Sequence, residues 1–330
     1  MSDVKPRNIA ITGVGALIGQ GIAKALKHVD NIATIGIDRK ITPLSKNLCN
    51  TCVQKPNCTE DSDAYLQFWL DLIKDRNIAL IIPGIGHDMN FFLKNSNVFA
   101  KHNVKIVLNN PKLIALAHDK YEFDAAYKTL GLPTIPTAMP TTWQEALEIL
   151  GPTPLLLKPR IGEGSAGIVL LHDELDFNYW TKKAAGNWML QKIIGQDDQE
   201  FTVGTFGFGD GTCLKPIIFR RILSRSGHTQ EATVVEHKAI TRISCIIAQN
   251  FKPIGPTNLQ FRMQDDTPYL LEVNPRFSSS CSLRTAFGYN EAFMCVQYYL
   301  DGVRPVDPEI KSGFGQRYNE DYVTYARHSI

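Results

Sequence analysis

The sequence predicts an α/β and α+β protein: an N-terminal doubly wound parallel sheet, then a region rich in antiparallel strands. Three observations carry this. NIAITGVG (8–15), IGQGIAKALK (18–27) and NIATIGID (31–38) read as strand, glycine turn, helix and strand, which is a βαβ unit. IALIIPG (78–84) and VKIVLNN (104–110) are continuous apolar runs, as strands covered on both faces require. Beyond Pro111 the rhythm changes to short helices and then to a succession of strands, several alternating apolar and polar residues.

Taken in order, the second strand ends at Asp38 and a cysteine-bearing loop follows. In DAYLQFWLDLIKDRN, the residues Tyr65, Phe68, Trp69, Leu72 and Ile73 keep the spacing of a core-facing helix, with Ser62 or Asp63 to cap it. Residues 1–110 thus make the first domain. NPKLIALAHDKYEFDAAYKTLGLP reads as two short helices, the second stopped by Gly131 and Pro133. TTWQEALEILG carries a capping box, Thr142 to Glu145, and closes on Gly151. PLLLKPRIGEGSAGIVLL is strand, glycine-rich turn, strand. The strands NWMLQKII, EFTVGTFGF, LKPIIFRRIL, NLQFRM and YLLEVN follow, then a helix over NEAFMCVQYYLDG; FGQRYN is the candidate final strand.

Composition excludes some functions. A net charge of +2 over 330 residues gives no electrostatic footprint for nucleic acid. No apolar run reaches the ~20 residues of a membrane helix. Strand residues begin almost at once, without a signal-peptide pattern, and seven cysteines fit a reducing, cytoplasmic setting. Cys49 and Cys52 have zinc-type spacing, with Cys58 nearby, but a fourth ligand would have to be Asp61 or a distant histidine. The simpler reading is a surface loop of reduced thiols.

Two stretches point to chemistry. Lys158 ends an apolar strand and is held extended by Pro159. RIGEGSAGI follows, with small residues that let backbone N–H groups approach an anion; this fits a phosphate-covering loop or a plain glycine hairpin. In the second stretch, Asn258, Gln260 and Arg262 alternate with Leu259, Phe261 and Met263. A hairpin through QDDTP would set Gln260 beside Glu272 and Asn274 on one polar face, with Arg276 just beyond. Such oxygen donors suit Mg²⁺ that shares phosphate oxygens. An internal salt bridge from Glu272 to an arginine is the alternative.

Together these stretches resemble the ATP-grasp superfamily, in particular the grasp module of the carbamoyl-phosphate synthase large chain. HDKYEFDAAYKTLGLPTIPT, LLLKPRIGEGSAGI and NLQFRM…YLLEVNPRFSSS carry the resemblance, and E-x-N-P-R is its most specific part. It implies a pre-ATP-grasp domain over 1–110, a small lobe with helical linker and lid over 111–187, and a large lobe with the metal site over 188–330. Together these make a two-lobed ATP-grasp fold. It implies that Lys120 and Lys158 contact ATP phosphates under the loop of Gly164, Ser165 and Ala166. Ile193 lies in the adenine-binding linker, Glu200 reaches the ribose, and His228 lies near the phosphates. Gln260, Glu272 and Asn274 would hold one or two Mg²⁺ ions, with Mn²⁺ as substitute, and Arg276 would stabilise the charged intermediate. Gln191 stands where the family usually has an acid.

The reaction so implied is amide formation from a small-molecule carboxylate and an amine through an acyl phosphate, catalysed with Lys158 and Arg276. One grasp module, not two, argues against complete carbamoyl phosphate synthesis; kinase chemistry on bicarbonate or carbamate is the alternative. A reading of another class is an NAD(P)-dependent reductase built on GVGALIGQG and Asp38, although this loop has one residue too many for G-x-G-x-x-G. His87 and Asp88 follow a parallel strand, where they are either acceptor-site residues or ordinary loop polarity. A homodimer is left open; nucleic acid and membrane partners are not expected.

Overall fold

The computed structural model describes residues 5–162, 167–323 and 325. The first sheet is parallel throughout: β1 (Arg7–Thr12), β2 (Ile32–Asp38), β3 (Thr51–Gln54), β4 (Ile78–Ile82) and β5 (Lys105–Ile106), in the order β3-β2-β1-β4-β5. Helices α1 (Leu17–Leu26), α2 (Pro43–Leu48), α3 (Asp63–Asp75), α4 (Gly86–Lys94) and α5 (Ser96–Phe99) join the strands. The doubly wound expectation holds, and chain order reverses between β1 and β4. There the loops at the carboxyl ends of both strands open a crevice. The glycines serve close packing. A Cβ on Gly19 would lie 2.2 Å from the Gly13 carbonyl oxygen, and one on Gly84 would lie 2.3 Å from that of Thr12. Helix α1 can therefore seat against the ends of β1 and β4 only without side chains at those points.

Helix α3 begins as expected: the Ser62 hydroxyl accepts from the Tyr65 N–H, and Tyr65, Trp69, Leu72 and Ile73 are buried. The 39–62 segment differs from expectation. Cys49 is buried at the end of α2, and Cys52 lies in β3 opposite Gly36. Burial pushes the Cys49 thiol up to about 12, the proximity of Cys52 adding to the effect. This is packed sheet edge rather than a surface loop. Among the described residues, no group of three or more His, Cys, Asp or Glu is placed to hold a metal. Asp61 instead pairs with Lys94 at the surface. Four-residue β3 was missed because its apolar content is a single valine and cysteine.

The second sheet is antiparallel: β6 (Thr137–Ala138), β7 (Leu155–Lys158), β8 (Val169–Leu171) and β9 (Met189–Lys192), in the order β6-β9-β7-β8. It packs on α8 (Trp143–Leu150) and α9 (Glu174–Lys183) through Ala146, Leu150, Leu155, Leu157, Phe177 and Leu190. Before it come α6 (Pro111–His118) and α7 (Lys120–Lys128). The third sheet has the order β14-β13-β10-β11-β12-β15. Its strands are β10 (Glu200–Phe208), β11 (Ile217–Leu223), β12 (Thr229–Val234), β13 (Ile254–Gln264), β14 (Thr267–Asn274) and β15 (Phe314–Gln316). Helices α10 (Lys238–Phe251), α11 (Cys281–Ala286) and α12 (Glu291–Cys295) accompany it. Asp265 and Asp266 turn β13 into β14 with φ of 49° and 60°, the two left-handed residues of a tight hairpin.

Asp88 corrects one reading. It is neither loop polarity nor part of the cavity wall. It is fully buried in α4, where both carboxylate oxygens accept from Lys55 Nζ at 2.6 Å and one accepts from the Tyr65 hydroxyl at 2.8 Å. Removing one member of a buried pair leaves an uncompensated charge. Lys55→Met should therefore cost about 3–5 kcal/mol in urea unfolding, and adding Asp88→Leu should recover most of it. A single variant as stable as the wild type would show that the pair is dispensable.

Candidate active site

A cavity of about 850 Å³ lies between the first domain and the two antiparallel sheets. Its first wall is the crevice of the parallel sheet: Gly15–Ile18 after β1 and Pro83–His87 after β4, with Met89. Its second wall is the small sheet, with Leu156, Lys158, Gln191 and Ile168. Its floor is one face of the third sheet, carrying Glu200, Arg221, Asn258, Gln260, Glu272 and Asn274. Lys120, His228, Arg262, Arg276, Ser278 and Ser279 complete the rim.

The floor follows from strand register. Thr202, Gln260 and Glu272 stand abreast across β10, β13 and β14, and Gly204, Asn258 and Asn274 form the next row on the same face. A third row sets Arg221 and Arg262 on either side of Glu200. Period-two alternation thus gathers Glu200, Asn258, Gln260, Glu272 and Asn274 on the cavity side, while Leu259, Phe261 and Val273 enter the core beneath.

Most floor groups are held by a partner. Arg284 is fully buried; it donates to Asn258 Oδ1 at 2.6 Å, to the Thr202 hydroxyl at 3.1 Å and to Glu291 at 3.1 Å. Gly204 makes room for it, since a Cβ there would lie 2.7 Å from its guanidinium. Burial pushes the Glu291 carboxyl up, and the attraction of Arg284 opposes this. Glu200, expected at a ribose, lines the cavity clamped between two arginines: Arg221 donates to it at 2.6 and 3.1 Å and Arg262 at 2.8 Å. Arg221 also donates to Gln260 Oε1 at 2.8 Å, and the Gln260 amide donates to Glu272 at 3.4 Å.

The lysines face this floor. Lys158 is 7% exposed at the end of β7 and, among the described residues, its ammonium makes no hydrogen bond. Burial pulls its pKa down to about 8 against the attraction of Glu272, and neighbouring Lys120 lowers it further. Lys120 opens α7, 3.7 Å from the Glu272 carboxylate, and donates to the Gly162 carbonyl at 2.7 Å. Asp119 caps α7 and holds Arg160, whose backbone carbonyl accepts from the Lys120 N–H. Burial raises the Asp119 carboxyl, but Arg160 and the N–H groups of Glu122 and Tyr121 outweigh this and hold it below the usual range.

The structure therefore brings Lys120, Lys158, Gln191, Glu200, His228, Gln260, Glu272, Asn274 and Arg276 to one cavity. Gln191 is buried there and donates to the Thr137 hydroxyl at 2.9 Å. Ile193 follows β9 and is not part of the wall. Gly164, Ser165 and Ala166 lie outside the described residues. Sequence reasoning missed Arg221 and Asn258; the alternation through Asn258 carried a signal, whereas FRRIL gives no reason to choose Arg221 over Arg220. On the first wall, Asp38 accepts from the Gly15 N–H at 2.8 Å, so the acid required by a dinucleotide site is tied to the glycine turn. His87 is exposed at the cavity edge.

The donor set suits a hard cation: one carboxylate and neighbouring amide oxygens, too little charge for an all-protein cage and suited to sharing anionic ligand oxygens. Lys158 also makes a pH prediction. The unfolded chain keeps that proton up to about 10.5 and the folded chain only to about 8. Between those values the unfolded state holds more protons, so stability of the ligand-free protein gains from rising pH. Urea unfolding of wild type against Lys158→Met should show this increment in the wild type only; parallel profiles would contradict the burial of the charge.

Residues 186–322 match the family model described as ATP-grasp in the biosynthetic pathway with Ter operon. The carbamoyl phosphate synthase large chain of Pyrococcus furiosus is 24% identical over 236 residues, which cover 64% of this chain and 22% of that relative. The chain thus spans about a fifth of that relative's length. Among solved structures, the biotin carboxylase domain of Hydrogenobacter thermophilus 2-oxoglutarate carboxylase, in complex with MgADP, ADP and bicarbonate, superposes with a TM-score of 0.71 at 16% identity. It covers 93% of this chain and 73% of that one. N5-carboxyaminoimidazole ribonucleotide synthetase from Thermus thermophilus gives 0.69 at 16% identity, covering 93% and 81%. The sequence match over residues 186–322 and the superposed folds agree that this chain is similar to ATP-grasp proteins, and the E-x-N-P-R strand end lies within the matched segment.

Proposed function

We propose that this chain is an ATP-dependent carboxylate–amine ligase that forms an amide through an acyl phosphate. The observation that carries the reading is the placement of a desolvated lysine, Lys158, and Lys120 around the same cavity as Glu272. Two ammonium groups and a metal-binding carboxylate are what a transferring phosphoryl group requires, since catalysis there is chiefly positioning and charge neutralisation.

Lys158 and Lys120 would face the phosphate oxygens, and Leu156, Ile168 and Leu271 offer apolar surface to the base. Glu272 and Asn274 would hold Mg²⁺ at the floor. When bound, that ion supplies charge neutralisation on the phosphate oxygens. Arg276, just past the end of β14, lines the cavity and would stabilise the substrate carboxylate and the oxyanion formed on amine attack. Ser278 and Ser279 line the same cavity; Ser280 is buried against Thr229 at 3.0 Å and serves the framework. The loops Gly15–Ile18 and Pro83–His87 would receive the acceptor. No nucleophilic side chain enters the scheme.

The likeness to carbamoyl phosphate synthase favours a second reading, phosphorylation of bicarbonate or carbamate. The two differ in what triggers ADP release. ADP formation that needs both a carboxylic acid and an amine, with an amide found by mass spectrometry, supports the ligase; ADP formation with bicarbonate and no carboxylic acid supports the alternative. Lys158→Ala should lower turnover about 100-fold or more with the fold retained by circular dichroism, as removal of a transition-state charge does elsewhere. Glu272→Gln should raise the Mg²⁺ concentration needed for half-maximal rate. A wild-type rate in the first variant, or an unchanged Mg²⁺ titration in the second, would count against these roles.

A further inference from the structure

The cavity wall supplied by the first domain has a composition of its own. Its side chains are Ala16, Leu17, Ile18, Ile85, His87 and Met89. All but His87, exposed at the edge, are apolar. Leu17 opens α1 and is 37% exposed, an aliphatic group in the wall at a helix start where a polar residue would serve as well. The two helices that begin at this wall, α1 and α4, lack a side-chain cap. Helix α1 has no acid in its first turn, and the acid in the first turn of α4, Asp88, is buried against Lys55 and Tyr65. The wall therefore offers aliphatic surface and the positive ends of two helices, but no carboxylate.

The other acids around the cavity are committed. Among the described residues that line it, these are Glu200 and Glu272. Glu200 accepts from Arg221 and Arg262. Glu272 lies 3.7 Å from Lys120 and is the carboxylate assigned to Mg²⁺. An ammonium group on the substrate would thus enter beside Lys120, Lys158 and Arg276 with no uncommitted carboxylate to meet it. Stripping a charge of water without a partner is costly.

We propose that the carboxylic acid taken by this site carries an apolar body and no ammonium group. Its class is an aliphatic or arylaliphatic acid, or the hydroxy or oxo derivative of one, rather than an amino acid or a sugar acid. The body lies on Leu17, Ile18, Ile85 and Met89. Backbone N–H groups at the starts of α1 and α4 are left to donate to an uncharged oxygen on that body, since no side chain caps them. The proposal rests on the ligase reading above and names its substrate class.

The test traps the acyl phosphate with hydroxylamine, whose nitrogen displaces phosphate from the acyl carbon and leaves a hydroxamate that Fe³⁺ colours. The intact chain is given MgATP, hydroxylamine and one acid at a time. Isocaproate, its hydroxy and oxo derivatives, and leucine share one aliphatic skeleton, so their comparison isolates the ammonium group; gluconate isolates the apolar body. Isocaproate or one of its derivatives should give a kcat/KM at least about tenfold above leucine and gluconate. Leu17→Asp sets a carboxylate in the wall at a position where an acid suits the helix start, and should cut the preference over leucine about tenfold. Should that variant not fold, Leu17→Ser decides: it should raise KM for isocaproate about threefold or more and leave KM for ATP unchanged. Leucine or gluconate used as well as isocaproate, or an unchanged preference in Leu17→Asp, would overturn the proposal and leave the ligase reading standing. Hydroxamate from none of the acids, in protein that binds a non-hydrolysable ATP analogue, would remove the ligase reading itself.

Discussion

The structure turns on charges of both signs gathered around one cavity, with the Lys158 ammonium left without a hydrogen bond among the described residues. Lys158 is stripped of water at the end of β7, and Glu272, near the end of β14, lies 3.7 Å from Lys120. Neither neutralises the other by contact. An isolated buried ammonium is costly, and its lowered pKa expresses that cost. A site that meets it with an anion and a cation together, as a metal-bound polyphosphate does, recovers the cost on binding. The rest of the fold supplies rigid frames for these groups: a hairpin for Glu272 and Asn274, a capped helix for Lys120, a short antiparallel sheet for Lys158.

Buried ion pairs do the holding. Lys55 with Asp88 ties the end of β3 to α4, and Arg284 with Glu291 holds Asn258 on the polar face of the third sheet. Apolar groups could fill such places at no loss of stability. What they could not supply is direction, because guanidinium and carboxylate dictate which way each amide above them faces.

Much of this was legible in the sequence. The βαβ unit, the capped helix from Asp63 and the alternation in NLQFRM and YLLEVN have periods that only one backbone conformation satisfies. Two aspartates between those strands suffice for the hairpin, and the hairpin brings Gln260 opposite Glu272. What was not legible depends on pairings between strands distant in sequence. Glu200 reads as a lone acid until β11 lies beside it and supplies Arg221. Asp88 reads as loop polarity until β3, itself too short to recognise, delivers Lys55. Cys49 and Cys52 read as a metal spacing because composition does not tell a sheet edge from a loop.

The account stands most directly on where a divalent ion settles. Crystals grown with Mn²⁺ and a non-hydrolysable ATP analogue should give an anomalous difference peak between Glu272 and Asn274, with phosphate oxygens completing the ligands and Lys158 on the opposite side. A peak elsewhere in the chain, or nucleotide bound in the glycine turn after β1 with the floor of the third sheet bare, would contradict it.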